Sequence, residues 1–175
     1  PESLKKKIHR NENSKKSWGN VENSYQRRND LIGNLVNTVK GAAEFEKGTL
    51  TAVIEARAKA TAITIDPSKV TPAQLEAFTK SQTGVSSALS RLMVSIEKYP
   101  ELRANENFLR LQTELEGTEN RIKYARDQYN ASVLPYNIFI KGIPNKWINS
   151  IFFDFTEMAY FKADAGAEKA PKVQF

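Results

Sequence analysis

Cysteine is absent from the 175 residues, so a disulfide framework, a thiolate metal site and a cysteine nucleophile are all excluded. Histidine occurs once, as His9, in a basic stretch with no carboxylate at catalytic spacing. Imidazole general-base catalysis and histidine metal ligation therefore have nothing to build on. No GxGxxG, GxxxxGKS, GxxxxGKT, HExxH or EF-hand string occurs, and the usual nucleotide, zinc and calcium sites go with them. No serine lies in a GxSxG elbow, and no histidine of the helical region could activate one. No stretch approaches the roughly 20 apolar residues of a membrane-spanning helix. The sequence opens on Pro1 without an initiator methionine, so a processed product or a piece of something longer is expected. The residues call for no cofactor and no metal.

What is present is an ordinary globular balance, 40% hydrophobic and 26% charged, at a length that suits one domain with a real core. The charge is uneven. Pro1 to Arg28 carries Lys5, Lys6, Lys7, Arg10, Lys15, Lys16, Arg27 and Arg28 against Glu2, Glu12 and Glu22, an excess of five out of the net +6. A nucleic-acid groove needs a basic face with aromatic or base-reading residues, which this end lacks. Two readings stand: a segment lying beside anionic lipid, or a solvated helix start.

Apolar residues recur at 3-then-4 spacing in three long stripes. The first runs Trp18, Val21, Tyr25, Ile32, Leu35, Val39, Ala42, interrupted by Arg28. It resumes after Gly48 as Leu50, Val53, Ile54 and the run Ala56, Ala58, Ala60, Ala62. Because a helical glycine costs only about 1 kcal/mol, Gly33, Gly41 and Gly48 are expected to leave one continuous, curved helix. Asp66-Pro67 marks a turn, and Thr71-Pro72 supplies an N-cap followed by proline at the first helical position. The second stripe reads Leu75, Phe78, Gln82, Val85, Leu89, Leu92, Ile96, Tyr99, with Pro100 as the stop. Asn105 caps a third helix carrying Phe108, Leu111, Leu115, Thr118, Ile122, Ala125, Tyr129, Val133 and Tyr136, its end kinked by Pro135. Short connections make such neighbours antiparallel. The predicted fold is all-α: an elongated antiparallel helical bundle of three long helices plus a short C-terminal helix. It divides into a basic segment over 1–17, the bundle over 18–161 and a tail over 162–175.

Carboxylates on the helices invite a reading as acid/base dyads or di-metal ligands: Glu44 with Glu46, and Glu114 with Glu116 and Glu119. Against it, Arg110, Arg121 and Lys123 stand three or four residues away as helix-surface partners, and a di-iron bundle needs histidines this sequence does not have. Arg28 occupies a stripe position, and a buried unpaired charge is prohibitive. Together with Arg57 it is expected to join a structural ion pair that fixes helix register, with Glu55, Glu114 and Glu119 as candidate partners. The aromatic segment with Trp147, Phe152, Phe153 and Phe155 either caps the core or forms an interaction surface.

The runs YQRRNDLIGNLVNTVKGAAEFE (25–46) and LTAVIEARAKA (50–60), then YPELRANEN (99–107), LQTELEGTENRIKYAR (111–126), the pairs Tyr129-Asn130 and Tyr136-Asn137 and the EKAP string near the end resemble the LemA family. The likeness covers most of the chain from Trp18 onward. It implies a bacterial helical domain tethered by a single N-terminal transmembrane helix before the segment equivalent to 1–17, facing the periplasm or outside, although the basic Lys5 to Lys16 would by itself favour the cytoplasm. It also implies no agreed biochemical activity, with a magnetosome protein among the relatives. Gly33 stands where the family usually has proline, Phe45 where it usually has histidine, and Ser3 to Asn13 is unusually basic. The expected function is a non-enzymatic, membrane-tethered scaffold or interaction module that self-assembles or binds another protein, without nucleic acid. The alternatives are a regulator or sensor taking a peptide or small ligand in an interhelical groove, and a hydrolase using the helix carboxylates.

Overall fold

The computed structural model describes residues 2–41, 45–141 and 157–162. These form α1 (Glu2–Gly41), α2 (Lys47–Thr61), α3 (Pro72–Ile96), a single-turn α4 (Pro100–Arg103) and α5 (Glu106–Lys141), with 157–162 as a non-helical strap. The all-α bundle expected from the stripes is what is found. At 1.5 Å per residue, α1 and α5 each run about 55–60 Å.

The local signals explain where the elements begin. Thr71 Oγ1 accepts from the Gln74 N–H at 3.2 Å while Gln74 Oε1 accepts from the Thr71 N–H at 3.3 Å, a reciprocal capping box with Pro72 at the first helical position. Asn105 Oδ1 accepts from the Phe108 N–H at 3.1 Å and so caps α5. One expectation needs correcting. Pro100 does not stop α3, which ends at Ile96; it opens α4 instead. Pro135 lies inside α5, six residues before its end at Lys141.

The larger correction concerns the first stripe. It is not one curved rod, because Phe45 and Glu46 are non-helical and α2 starts afresh at Lys47. α2 runs back along α1: Phe45 meets Tyr99 at one end of the bundle, Arg57 reaches Gly33, and Ala60 and Ile65 lie with Trp18 and Phe78 toward the other. The physical reason is area. A continuous rod would leave the Leu50–Ala60 face without a neighbour, whereas folding back buries Leu50, Val53 and Ala60. The predicted short C-terminal helix falls mostly outside the described residues.

α1 and α5 pack antiparallel in a constant register. Arg10 Nη1 donates to the Pro135 carbonyl at 3.2 Å, Ser14 Oγ to the Ser132 carbonyl at 3.2 Å, and the Trp18 and Tyr129 rings meet edge-on at 5.3 Å. α3 runs parallel to α1, its Phe78 against Trp18 and Tyr25 and its Ser86 beside Arg28. The core falls into two clusters along the axis. One gathers Ile32, Leu35, Val39, Val53, Leu89, Leu92 and Leu111; the other gathers Trp18, Val21, Tyr25, Phe78, Tyr129, Val133, Tyr136, Met158 and Phe161. Residues 2–17 continue α1 without a break, and Asn11 and Ser14 are buried.

Candidate functional site

Between the two apolar clusters lies a buried polar layer centred on Arg28, which is 3% exposed. Its Nη2 donates to the Gln82 carbonyl at 3.0 Å and to Gln82 Oε1 at 2.8 Å, and its Nη1 donates to Ser86 Oγ at 2.8 Å. Glu119 Oε1 stands 3.8 Å from Nη1, and the guanidinium lies 5.1 Å from the Tyr25 ring centre. One residue thus ties α1 to α3 and α5. Burial pulls the Arg28 pKa below its ordinary value, while Glu119 and Tyr25 pull it back up. Burial likewise pushes the Tyr25 hydroxyl up, against Arg126 and Arg28. The three short bonds carry the layer. At 3.8 Å, and with its side chain 31% exposed, Glu119 adds a solvated charge and no close hydrogen bond.

The other sequence candidates do not join this layer. Glu114 pairs with Arg110 one turn away on its own helix at 3.6 Å, and Glu55 is exposed on α2. Arg57 lies with its guanidinium 2.9 Å from where a Gly33 Cβ would stand, and its Nε has no hydrogen-bond partner. Glycine at 33 therefore has a steric role, giving α2's arginine a seat on the α1 backbone. His9 and Glu46 are exposed. Among the described residues no group of three or more His, Asp or Glu side chains gathers as metal ligands would. Trp147, Phe152, Phe153 and Phe155 lie outside the described residues.

A second constellation escaped sequence reasoning. The strap is held by two α5 asparagines one heptad apart. Asn137 Nδ2 donates to the Met158 carbonyl and Asn137 Oδ1 accepts from the Met158 N–H, both at 2.8 Å. Asn130 does the same for Phe161, at 3.1 and 2.9 Å. The Ala159 N–H adds a bond to the Val70 carbonyl at 2.9 Å. Met158 and Phe161 drop into the core, where Phe161 stacks on Trp18 at 5.9 Å. Beside the strap, Pro72, Leu75, Lys80, Lys141 and Tyr160 help line an open groove of about 790 Å³. A smaller pocket of about 190 Å³ lies between α1 and the α2–α3 loop, walled by Trp18, Tyr25, Phe78 and Ile65. Glu22 at its rim accepts from Trp18 Nε1.

A family model described as the LemA family matches residues 17–175. The chain belongs to the LemA family. It is 25% identical to Magnetosome protein MamQ of Magnetospirillum gryphiswaldense, over 86% of this chain and 61% of that protein. It is 26% identical to Magnetosome protein MamQ 1 of Paramagnetospirillum magneticum, with the same coverage. With Protein LemA of Metamycoplasma hominis it shares 27% identity, over 82% of this chain and 61% of that one. The chain thus spans about 61% of the length of these relatives.

The motif residues that carried the LemA likeness can now be given physical work. In Tyr129-Asn130 and Tyr136-Asn137 the tyrosine turns into the core and the asparagine turns to the strap, so each dipeptide joins the bundle interior to the returning chain. In the YQRRNDLIG run, Arg28 supplies the polar layer and Gly33 the seat for Arg57.

Proposed function

We propose that this LemA-family chain is a non-enzymatic, membrane-tethered helical scaffold that presents a rigid bundle to copies of itself or to another protein. The observation that carries the reading is how the polar groups of the Arg28 layer are used. The two terminal nitrogens of Arg28 are spent on Gln82 and Ser86 of α3, with the Glu119 carboxylate of α5 at 3.8 Å, which stiffens a long rod and, among the described residues of the layer, pairs no nucleophile with a base. Placement at a membrane draws support from the relatives named as magnetosome proteins. The surface offered for assembly is the end formed by the α3–α5 turn, where Val94 and Leu109 are 61% and 47% exposed. The test is the mass of the native particle in mild detergent. A discrete homo-oligomer that falls apart on Val94→Glu with Leu109→Glu supports the scaffold; a clean monomer at all concentrations sinks self-assembly.

The groove of about 790 Å³ beside the strap favours a second reading, a regulator that takes a peptide or small ligand between helices. Under this reading the aromatic segment with Trp147, Phe152, Phe153 and Phe155, whose flanking residues Lys141 and Glu157 both line the groove, contributes to the interaction surface. A ligand recovered with the native particle and displaced by Leu75→Glu decides for the regulator. A particle free of ligand decides against it.

A further inference from the structure

Along the seam of α1 and α5 runs an open groove of about 550 Å³, walled by Asn20, Asn23 and Arg27 from one helix and by Arg121, Tyr124 and Gln128 among others from the next. The contacts of Trp18 with Tyr129 and of Arg28 with Glu119 fix the level of each wall residue. Arg27 and Arg121 stand on opposite walls at one end, Asn23 and Tyr124 in the middle, Asn20 and Gln128 at the other end. All six are exposed, Tyr124 by 67%. Neither arginine has an ion pair or a hydrogen bond among the described residues. Nor, among those residues, does a carboxylate line the groove. Glu22 accepts from Trp18, Asp30 accepts from Gln26 at 2.9 Å, and Glu119 faces Arg28, while Glu116 and Asp127 are exposed off its walls. Two like charges at one level of a groove without a counterion form a place where an anion is attracted by both.

The remaining walls say what kind of anion. They hold arginine and tyrosine with small amide and hydroxyl side chains, and no lysine, aspartate or glutamate, which is the composition of protein-contact surfaces. Elsewhere on α5, Asn130 and Asn137 each hold the N–H and C=O of one strap residue at 2.8–3.1 Å, so carboxamides on this helix already grip an extended chain. From Asn20 to Arg27 the groove runs about 10 Å, room for about three residues of extended chain.

We propose that the α1–α5 groove binds an extended acidic segment of a partner protein. Arg27 and Arg121 grip its carboxylate, the carboxamides of Asn20, Asn23 and Gln128 meet its peptide groups, and the Tyr124 ring packs on it. This deepens the scaffold reading, on which it rests for taking a protein as partner, by naming the partner's chemistry and a surface three turns along α5 from Leu109. Arginine suits the task because its planar fork meets both oxygens of a carboxylate. One tyrosine offers a single stacking face, where sites for single-stranded nucleic acid line up several.

Fluorescence anisotropy of a labelled hexaglutamate peptide with the whole chain tests this. Saturable binding that weakens with salt is expected, and hexaglutamine should not bind. Arg27→Gln and Arg121→Gln should each lower the affinity about tenfold. Arg121→Lys, which keeps the charge and loses the fork, should lower it about threefold, and Tyr124→Ala about fivefold. Arg91→Gln, the same loss of charge on α3, should leave it unaltered. In the parent chain, the amide resonances of Asn23, Arg27, Arg121 and Tyr124 should shift as peptide is added while that of Val94 stays. Equal binding of hexaglutamine, an equal loss in Arg91→Gln, shifts confined to residues outside the groove, or stronger binding of polygalacturonate or oligothymidine at equal charge overturns the proposal. An oligomer that ignores the peptide defeats this inference and leaves the scaffold standing; a monomer that binds it in the groove keeps the inference and refutes self-assembly.

Discussion

Replacing Asn137 with alanine removes two hydrogen bonds of 2.8 Å at a site where Asn137 and Met158 are each 3% exposed. Each such bond contributes about 1 kcal/mol net, and the stranded Met158 N–H and C=O add a desolvation penalty, so the local cost is about 2–4 kcal/mol. Asn130 makes the longer pair, 3.1 and 2.9 Å, at a partly buried position where water can replace the amide. Its loss should cost about 1–2 kcal/mol. Because the strap can lift without melting the helices, the cost should appear first as local opening. Amide hydrogen exchange at Met158 and Phe161 should speed up about 30- to 1000-fold in Asn137→Ala, while the urea midpoint followed by helical circular dichroism moves less. The double variant with Asn130→Ala should fall short of the sum, since both residues restrain one segment. Exchange at Met158 within threefold of the parent would refute the clamp.

Three further perturbations address the layer and the core. Arg28→Ala strands Gln82 Oε1 and Ser86 Oγ and should cost about 2–4 kcal/mol in urea unfolding, whereas Glu119→Gln, at a half-exposed carboxylate, should cost under about 1 kcal/mol; equal costs would show that the ion pair, not the hydrogen bonds, holds the layer. Tyr129→Phe should stabilise by about 1 kcal/mol, because the Tyr129 hydroxyl is buried without a partner, and a loss of similar size would reveal one. Burial raises the folded-state pKa of Tyr25 and Tyr129 and pushes Tyr136 up to about 12. The contribution of Tyr129 and Tyr136 is therefore complete below pH about 10, the unfolded value, and lost as pH rises toward 12, at about 1.4 kcal/mol per pH unit for each, and Tyr25 acts in the same direction. Denaturant titrations at pH 9 and 11.5 should show that fall, and Tyr129→Phe with Tyr136→Phe should flatten it. Gly33→Ala should raise the urea midpoint by less than about 1 kcal/mol equivalent, as helix propensity outweighs moving the free end of Arg57; a clear drop would mean that the guanidinium is held by more than packing.

Helix existence and core faces were legible because period alone reveals them: Trp18, Ile32, Leu89 and Leu111, each named from spacing, are all buried. The caps at Thr71 and Asn105 were legible because side-chain oxygens act within three residues. The break before α2 was not, since the apolar spacing carries on past Gly48 and the advantage of folding back depends on α3, distant in sequence. Arg28's position in a stripe announced a buried charge, but choosing Glu119 over Glu114 requires the α1–α5 register, which no local pattern contains. Least legible was the strap. Nothing about an asparagine in a helix says that its carboxamide will serve a peptide group on a returning segment.

Long helices with heptad stripes have a characteristic hazard: sliding by seven residues again matches apolar to apolar, so the native alignment has near-equal rivals. The Arg28 layer breaks that degeneracy. Shift α5 one heptad along α1 and the position facing Arg28 becomes Gln112 in one direction and Arg126 in the other; shift α3 and Gln82 gives way to Leu75 or Leu89. Both α3 shifts strand the guanidinium against hydrocarbon, one α5 shift sets it against a like charge, and the other replaces the Glu119 carboxylate with an uncharged amide. For a collapsing chain this single residue converts a ladder of similar traps into one favoured docking, so loss of Arg28 should show in how many compact states the chain samples as well as in how stable the final one is.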